Sequence, residues 1–158
     1  MARFTAVVEV GAPASSTWEA LVDWPAHGRW VPLTVVRVLT PSGAGVGARF
    51  VGRSGLGPAG FDDPMEVTLW RPPAADRPGR CEVVKQGRLV LGSAWFEVEQ
   101  LPAERSRVTW GEDIELAPRA LTRPFSGLIA AAGRIAFTRT LRTMAAEVEA
   151  ARSGAGRG

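Results

Sequence analysis

The sequence is poor in the residue types on which most catalytic and metal sites depend. Its 158 residues include no tyrosine, one cysteine (Cys81), one histidine (His27) and one lysine (Lys85). A single cysteine excludes an intramolecular disulfide and is typical of a reducing compartment, so we expect a cytoplasmic protein. Zinc sites built from cysteine and histidine need three or four such ligands. We therefore expect neither a metal nor a cofactor.

Long apolar runs and dense basic clusters are also missing. No stretch approaches the roughly 20 apolar residues of a membrane-spanning helix, so no membrane span is expected. The net charge is +3, but the arginines are scattered and no aromatic side chains interleave with them, which argues against nucleic-acid binding. His27 has no accompanying nucleophile motif and is expected to be exposed, so no catalytic triad is indicated.

Apolar residues make up 46% of the chain and follow two different periodicities. Alternation from Phe4 to Val10 predicts a first strand, and two short helical pieces follow it over residues 17–22 and 27–31. Turn residues then separate six further predicted strands. These strands lie near residues 34–40, 47–54, 63–71, 79–86, 89–100 and 106–117.

The segment from about residue 118 to residue 152 is predicted to be the only long helix. Phe137, Leu141, Met144 and Val148 recur at spacings of four, three and four, which defines one helix face. We therefore expect an α+β fold, in which a curved antiparallel seven-stranded sheet grips one long C-terminal helix and two short helices follow the first strand. Residues 1–152 are expected to form a single domain, and residues 153–158 a disordered tail.

The order of these elements resembles that of a known superfamily. Together with the Asp23-Trp24-Pro25 and Trp30-Val31-Pro32 segments, it is similar to the START-like, Bet v 1-type helix-grip superfamily, and within it to the bacterial polyketide cyclase/dehydrase and lipid-transport (SRPBCC) group. The resemblance spans about residues 2–150 and implies a deep apolar cavity between sheet and helix. Members bind lipids, sterols, polyketides or hormones, and a minority catalyse cyclisation or dehydration. The aromatase/cyclase members use arginine, tyrosine and carboxylate groups. This chain has no tyrosine, so we carry over no catalytic residue.

Alternation along the predicted strands assigns side chains to the inner face without reference to any family. It turns Trp95 outward and allows Lys85 to face inward. A mostly apolar lining with few polar groups is typical of a small-molecule pocket. Periodicity alone fits a filled core as well as a cavity, whereas the resemblance favours the cavity. The predicted ligand-binding residues are Phe50, Met65, Val67, Leu69, Val83, Phe96, Trp110, Glu112, Phe125 and Ile129.

Glu112 lies in the middle of this apolar face and is the candidate catalytic residue. A lone ionised carboxylate there would be costly, which leaves three possibilities. Glu112 pairs with an inward arginine or lysine, so that its pKa falls, or it stays unpaired and protonated with a raised pKa. In the third case, a bulge near Gly111 turns it to solvent.

Three functions are compatible with these features. The first is a carrier, monomeric or homodimeric, that binds a hydrophobic lipid-like or polyketide-like small molecule in the cavity. The second is a polyketide aromatase/cyclase or dehydratase in which Glu112 acts as acid or base. The third is a protein-interaction module on the convex face around Trp95.

Overall fold

Alternating apolar residues build a seven-stranded antiparallel sheet. The computed structural model describes residues 1–156. Along β1, every second residue from Ala2 to Val10 is buried, as the alternation predicts. The strands are β1 (Ala2–Val10), β2 (Thr34–Val38), β3 (Arg49–Ser54), β4 (Phe61–Arg71), β5 (Gly79–Gln86), β6 (Val90–Leu101) and β7 (Arg105–Leu116).

The sheet is a meander of six strands, and the first strand of the chain adds to one edge of it. The order in space is β1-β7-β6-β5-β4-β3-β2, so β2 to β7 follow one another and β1 pairs with β7. The sheet curls into a half-barrel around its apolar face. The short helices of the chain are α1 (Ala14–Val22), α2 (His27–Trp30) and α3 (Arg119–Thr122), and the long helix is α4 (Ser126–Ala155). This arrangement confirms the predicted α+β fold.

The long helix packs chiefly along β1, at the edge of the sheet. Leu141 and Met144 are fully buried, and Phe137 and Val148 pack against the same core, so the predicted helix face is correct. A short 3-10 turn containing Pro124 precedes α4. None of the helices within residues 1–156 is long and apolar enough to cross a membrane.

The C-terminal boundary differs from the expected one. We predicted a disordered tail over residues 153–158, but α4 continues through Ala155, so the first three residues of that tail are helical. Residues 157 and 158 lie outside the part of the chain that the structure describes.

The predicted alternation fails in β4, where a bulge changes the register. Val67 pairs with Val83, but the next paired residue is Leu69, which lies opposite Glu82. Glu82 alternates with the buried residues of β5 and faces outward, so Leu69 also faces outward. Trp70 takes the inward position, with its ring centroid 5.4 Å from that of Trp18. The inward assignment of Leu69 is therefore wrong, because one extra residue inverts the faces of a strand.

The packing of α4 predicts a sharp contrast between two neighbouring positions. Leu141 is 1% exposed, so Leu141→Ala should lower the free energy of unfolding by about 2–5 kcal/mol. Arg142 is exposed, and Arg142→Ala should cost less than about 0.5 kcal/mol. Urea unfolding of both variants checks this contrast. Equal losses would contradict the orientation of the helix.

Candidate functional site

The concave face of the sheet encloses a cavity of about 280 Å³. Strands β2 to β7 provide most of its wall, and Trp24, His27 and Val31 close one side. Among the described residues, α4 contributes one lining side chain, Phe137. Because the helix lies along β1, it leaves the inner face of the middle strands uncovered, and that space forms the cavity.

Six of the ten predicted ligand-binding residues line this cavity, and four do not. Val67 is buried in the core outside the cavity wall, and Leu69 faces outward because of the bulge in β4. Phe125 is 59% exposed in the turn before α4. Ile129 packs against a small separate cluster with Phe4 at its centre. The six lining residues are Phe50, Met65, Val83, Phe96, Trp110 and Glu112.

Stacked aromatic rings make part of the wall flat and stiff. Trp24 stacks on Phe50 with a centroid distance of 4.1 Å and an interplanar angle of 11°. Trp110 stacks on Phe96 at 5.6 Å and on Phe137 at 5.4 Å. The Trp24 indole N–H donates to the backbone oxygen of Gly43, 2.7 Å away, which fixes that ring. These ring faces offer apolar contact and no hydrogen bonds.

Three charged or acidic side chains with little exposure line one part of the cavity, and we call them the polar cluster: Asp63, Lys85 and Glu112. Lys85 Nζ lies 2.7 Å from Asp63 Oδ2, and the two side chains are 8% and 13% exposed. Glu112 is 4% exposed, and its Oε1 accepts a hydrogen bond of 3.2 Å from Trp110 Nε1. The second oxygen of Asp63, Oδ1, is buried without a hydrogen-bond partner among residues 1–156.

Small residues on β6 make room for the polar cluster. Gly92 lies opposite Lys85, and Ala94 lies opposite Glu112, so β6 places no large side chain between the two. Gly92 has a φ of +124°, and a Cβ there would lie 2.1 Å from the backbone oxygen of Asp113. Only glycine fits this position without displacing the backbone.

Burial and charge act in opposite directions on the polar cluster. Burial raises the pKa of Glu112, and the charge of Lys85 and the Trp110 hydrogen bond offset this only in part. Burial alone would lower the pKa of Lys85, but its attraction to Glu112 and Asp63 outweighs burial, so the pKa is raised and the ammonium stays charged. The cluster thus combines an ion pair with a carboxyl group whose pKa is raised above its usual value.

Of the three predicted possibilities for Glu112, the structure agrees with the unpaired side chain and the raised pKa of the second. Its strand keeps regular pairing at Gly111, so no bulge turns the side chain to solvent. No lysine or arginine in the described chain lies within salt-bridge distance of Glu112, because Lys85 pairs with Asp63. Its one hydrogen bond comes from the neutral indole of Trp110.

His27 lines the cavity, so the expectation that it is exposed is wrong. Its ring lies between Trp30 and Trp24, at centroid distances of 5.1 and 5.5 Å. Nε2 lies 2.8 Å from the backbone oxygen of Leu21 and therefore carries the hydrogen. Burial lowers the pKa of His27, so the neutral ring keeps Nδ1 as an acceptor. The sequence did contain one indication of this position, because Trp24 and Trp30 flank His27 along the chain.

Trp95 faces outward as predicted, and neighbouring residues cover it. Its indole lies on Gly111, where a Cβ would be 2.4 Å from the ring. The guanidinium of Arg80 lies 4.4 Å from the ring centroid on the same face of the sheet. This packing gives Trp95 a structural role and removes the main support for a protein-interaction surface around it.

No metal centre is apparent in the part of the chain that the structure describes. Nowhere in residues 1–156 do three or more histidine, cysteine, aspartate or glutamate side chains come together in a way that could hold a metal ion. The polar cluster has two carboxyl groups, but its third member is a cation.

Comparison with known proteins gives a family and a fold. The family model described as "polyketide cyclase / dehydrase and lipid transport" matches residues 1–149. No curated protein shows significant sequence similarity to the chain.

Solved structures share the fold at low sequence identity. TTHA0849 from Thermus thermophilus is 13% identical, with a TM-score of 0.75 over 94% of this chain and 98% of its own. The Zhui aromatase/cyclase from a Streptomyces species is 18% identical, with a TM-score of 0.66 over 93% of each chain. A START superfamily protein from Mycobacterium smegmatis is 15% identical, with a TM-score of 0.68 over 92% of this chain and 98% of its own.

The raised pKa of Glu112 predicts a pH dependence of stability. A group whose pKa is higher in the folded than in the unfolded state stabilises fully below the unfolded pKa and loses this effect as pH rises through the folded pKa. Glu112→Gln removes the titration. The variant should therefore gain stability relative to the wild type as pH increases from about 4 to about 8.

Urea unfolding across this pH range measures the difference between the two proteins. Glu19→Gln is the matched control, because it makes the same substitution at an exposed position on α1, outside the cavity. A constant difference for Glu112→Gln would contradict a raised pKa in the folded state.

Proposed function

The chain belongs to the polyketide cyclase/dehydrase and lipid transport family, and from this premise we propose that it binds a mainly apolar small molecule in the cavity. The apolar body of the ligand lies against the stacked rings of Trp24, Phe50, Phe96 and Trp110. Its polar end reaches the polar cluster. A volume of about 280 Å³ is close to the lower limit of about 300 Å³ for small-molecule pockets, which favours a compact ligand.

The observation that carries this proposal is the unpartnered oxygen of Asp63. A buried acceptor without a donor costs about 1–3 kcal/mol, and a ligand hydroxyl or N–H group at this point would recover that free energy. The pKa of Glu112 is raised, and in its protonated form this side chain donates a hydrogen bond, so the cluster can supply both an acceptor and a donor. A hydroxyl group, which donates and accepts, complements both.

A second candidate function is supported by the chemistry of Glu112. A carboxyl group with a raised pKa is suited to donate a proton to a carbonyl oxygen or to a departing hydroxyl group. The Lys85 ammonium can stabilise negative charge that develops on the same substrate oxygen. These are the needs of aldol-type cyclisation and dehydration. Under this hypothesis the same cavity binds a poly-β-ketone chain, and Glu112 is its acid catalyst.

Paired aromatic probes test the predicted recognition of a hydroxyl group. 2-Naphthol and naphthalene differ by one hydroxyl group, and both present the flat apolar surface that the stacked rings favour. Wild-type protein should bind 2-naphthol about 10-fold or more tightly than naphthalene, since a hydrogen bond to a charged group contributes about 1.5–3 kcal/mol. Asp63→Asn should reduce this preference and leave naphthalene affinity nearly unchanged. Fluorescence titration measures both affinities.

A variant that fills the cavity separates pocket binding from surface binding. Ala94 lines the cavity, so Ala94→Leu should weaken both probes. Ser93 is the exposed neighbour on the other face of β6, and Ser93→Leu should weaken neither. Equal affinity of both probes for the wild type would reject the role of the polar cluster, and binding unaffected by Ala94→Leu would reject the cavity as the binding site.

A further inference from the structure

The outer face of the C-terminal helical segment carries an exposed apolar stripe made of Leu121, Phe125, Leu128 and Ile135. These side chains are 68%, 59%, 70% and 52% exposed. Leu128 and Ile135 are seven residues apart in α4, which places them on one side of that helix, and Leu121 and Phe125 precede them in α3 and the 3-10 turn. The opposite side of α4 packs against the core. At about 1.5 Å per residue, the stripe is about 20 Å long.

The same segment carries positive charge only. Residues 116–146 include five arginines and no aspartate or glutamate. Arg119 pairs with Glu115. The other four, Arg123, Arg134, Arg139 and Arg142, are exposed and form no ion pair within the described residues. Helical spacing places Arg139 and Arg142 on the outward side, directly after Ile135.

The exposed apolar side chains and the unpaired arginines together indicate which kind of partner could cover the stripe. A second copy of the chain would bring two sets of unpaired arginines together, which opposes self-association through this face. An anionic lipid surface instead offers phosphates to the arginines and an acyl boundary to the stripe. An exposed apolar helix face bordered by arginines is the pattern of helices that lie in a membrane interface.

We propose that α3 and the first half of α4 bind an anionic lipid surface. The helical segment lies parallel to the membrane plane, the apolar stripe enters the headgroup region, and the outward-facing Arg139 and Arg142 contact lipid phosphates. This surface faces away from the core and uses none of the six predicted ligand-binding residues that line the cavity, so the proposal stands independently of ligand binding.

Vesicle flotation tests the proposal. The protein should float with vesicles of phosphatidylcholine mixed with phosphatidylglycerol, should not float with phosphatidylcholine alone, and should dissociate as salt increases. The double variant Arg139→Gln/Arg142→Gln should lower the partition coefficient about 25-fold, roughly fivefold for each cation near the surface. The double variant Leu128→Ser/Ile135→Ser should also lower it.

Matched controls lie on β2, at the opposite edge of the sheet. Val35 is 64% exposed and Arg37 is exposed, so Val35→Ser and Arg37→Gln should leave vesicle binding unchanged. The absence of binding to the anionic vesicles would overturn the proposal. Binding unaffected by Leu128→Ser/Ile135→Ser would also overturn it, because attraction of a basic protein to anionic lipid does not require the stripe.

An environment-sensitive dye locates the contact. Cys81 is buried and its pKa is raised to about 12, so it does not compete for a thiol-directed label. A dye attached to Ala132→Cys, between Leu128 and Ile135, should shift to the blue when anionic vesicles are added. An unshifted dye on vesicle-bound protein would place the contact elsewhere and overturn the proposal.

Sedimentation without lipid tests whether a second copy covers the stripe. If the protein forms a dimer that Leu128→Ser/Ile135→Ser dissociates, the stripe is a dimer interface, and the proposal is overturned as well.

Discussion

The Lys85–Asp63 ion pair is the constraint on which the account of this site depends. Removing two charges from water costs several kcal/mol for each ion, and their attraction alone seldom repays that cost. Here the pair lies in a cavity whose walls are mostly aromatic and aliphatic. Glu112 adds a third ionisable group, and burial shifts it towards its neutral form. Replacing a buried ion pair with apolar residues of similar volume is often neutral or stabilising, so the presence of these charges supports the proposed binding of a ligand.

The surrounding structure supports this arrangement at several points. Gly92 and Ala94 leave the space above β6 empty, and the φ of Gly92 excludes a larger residue. Trp110 both stacks on Phe96 and donates to Glu112, so a single side chain links the apolar wall to the polar cluster. The position of α4 along β1 keeps the cavity from being filled. The packing that forms the fold therefore also positions the side chains of the site, so a change in one alters the other.

Sequence patterns predicted the fold better than they predicted the site. Period-two alternation predicted the strands of the sheet, and one helical face of apolar residues predicted α4. Both patterns arise because each element buries one face. Alternation also placed Glu112 correctly. It failed at Leu69, since a bulge of one residue leaves no clear trace in the pattern. Asp63 was missed although alternation back from Met65 places it inward. The burial of His27 and the exposure of Phe125 are set by tertiary packing, and the periodicity of the local sequence carries no information about it.

Burial raises the pKa of Glu112 beside the charged Lys85–Asp63 pair, and a carbon-13 NMR titration of the Glu112 carboxyl carbon is the decisive measurement of this shift. Glu112→Gln identifies the signal, and the exposed glutamates of the same sample provide the reference. We expect Glu112 to ionise at a higher pH than these glutamates. Ionisation together with them, or at a lower pH, would show that burial does not raise the pKa of Glu112, and would remove it as the candidate acid.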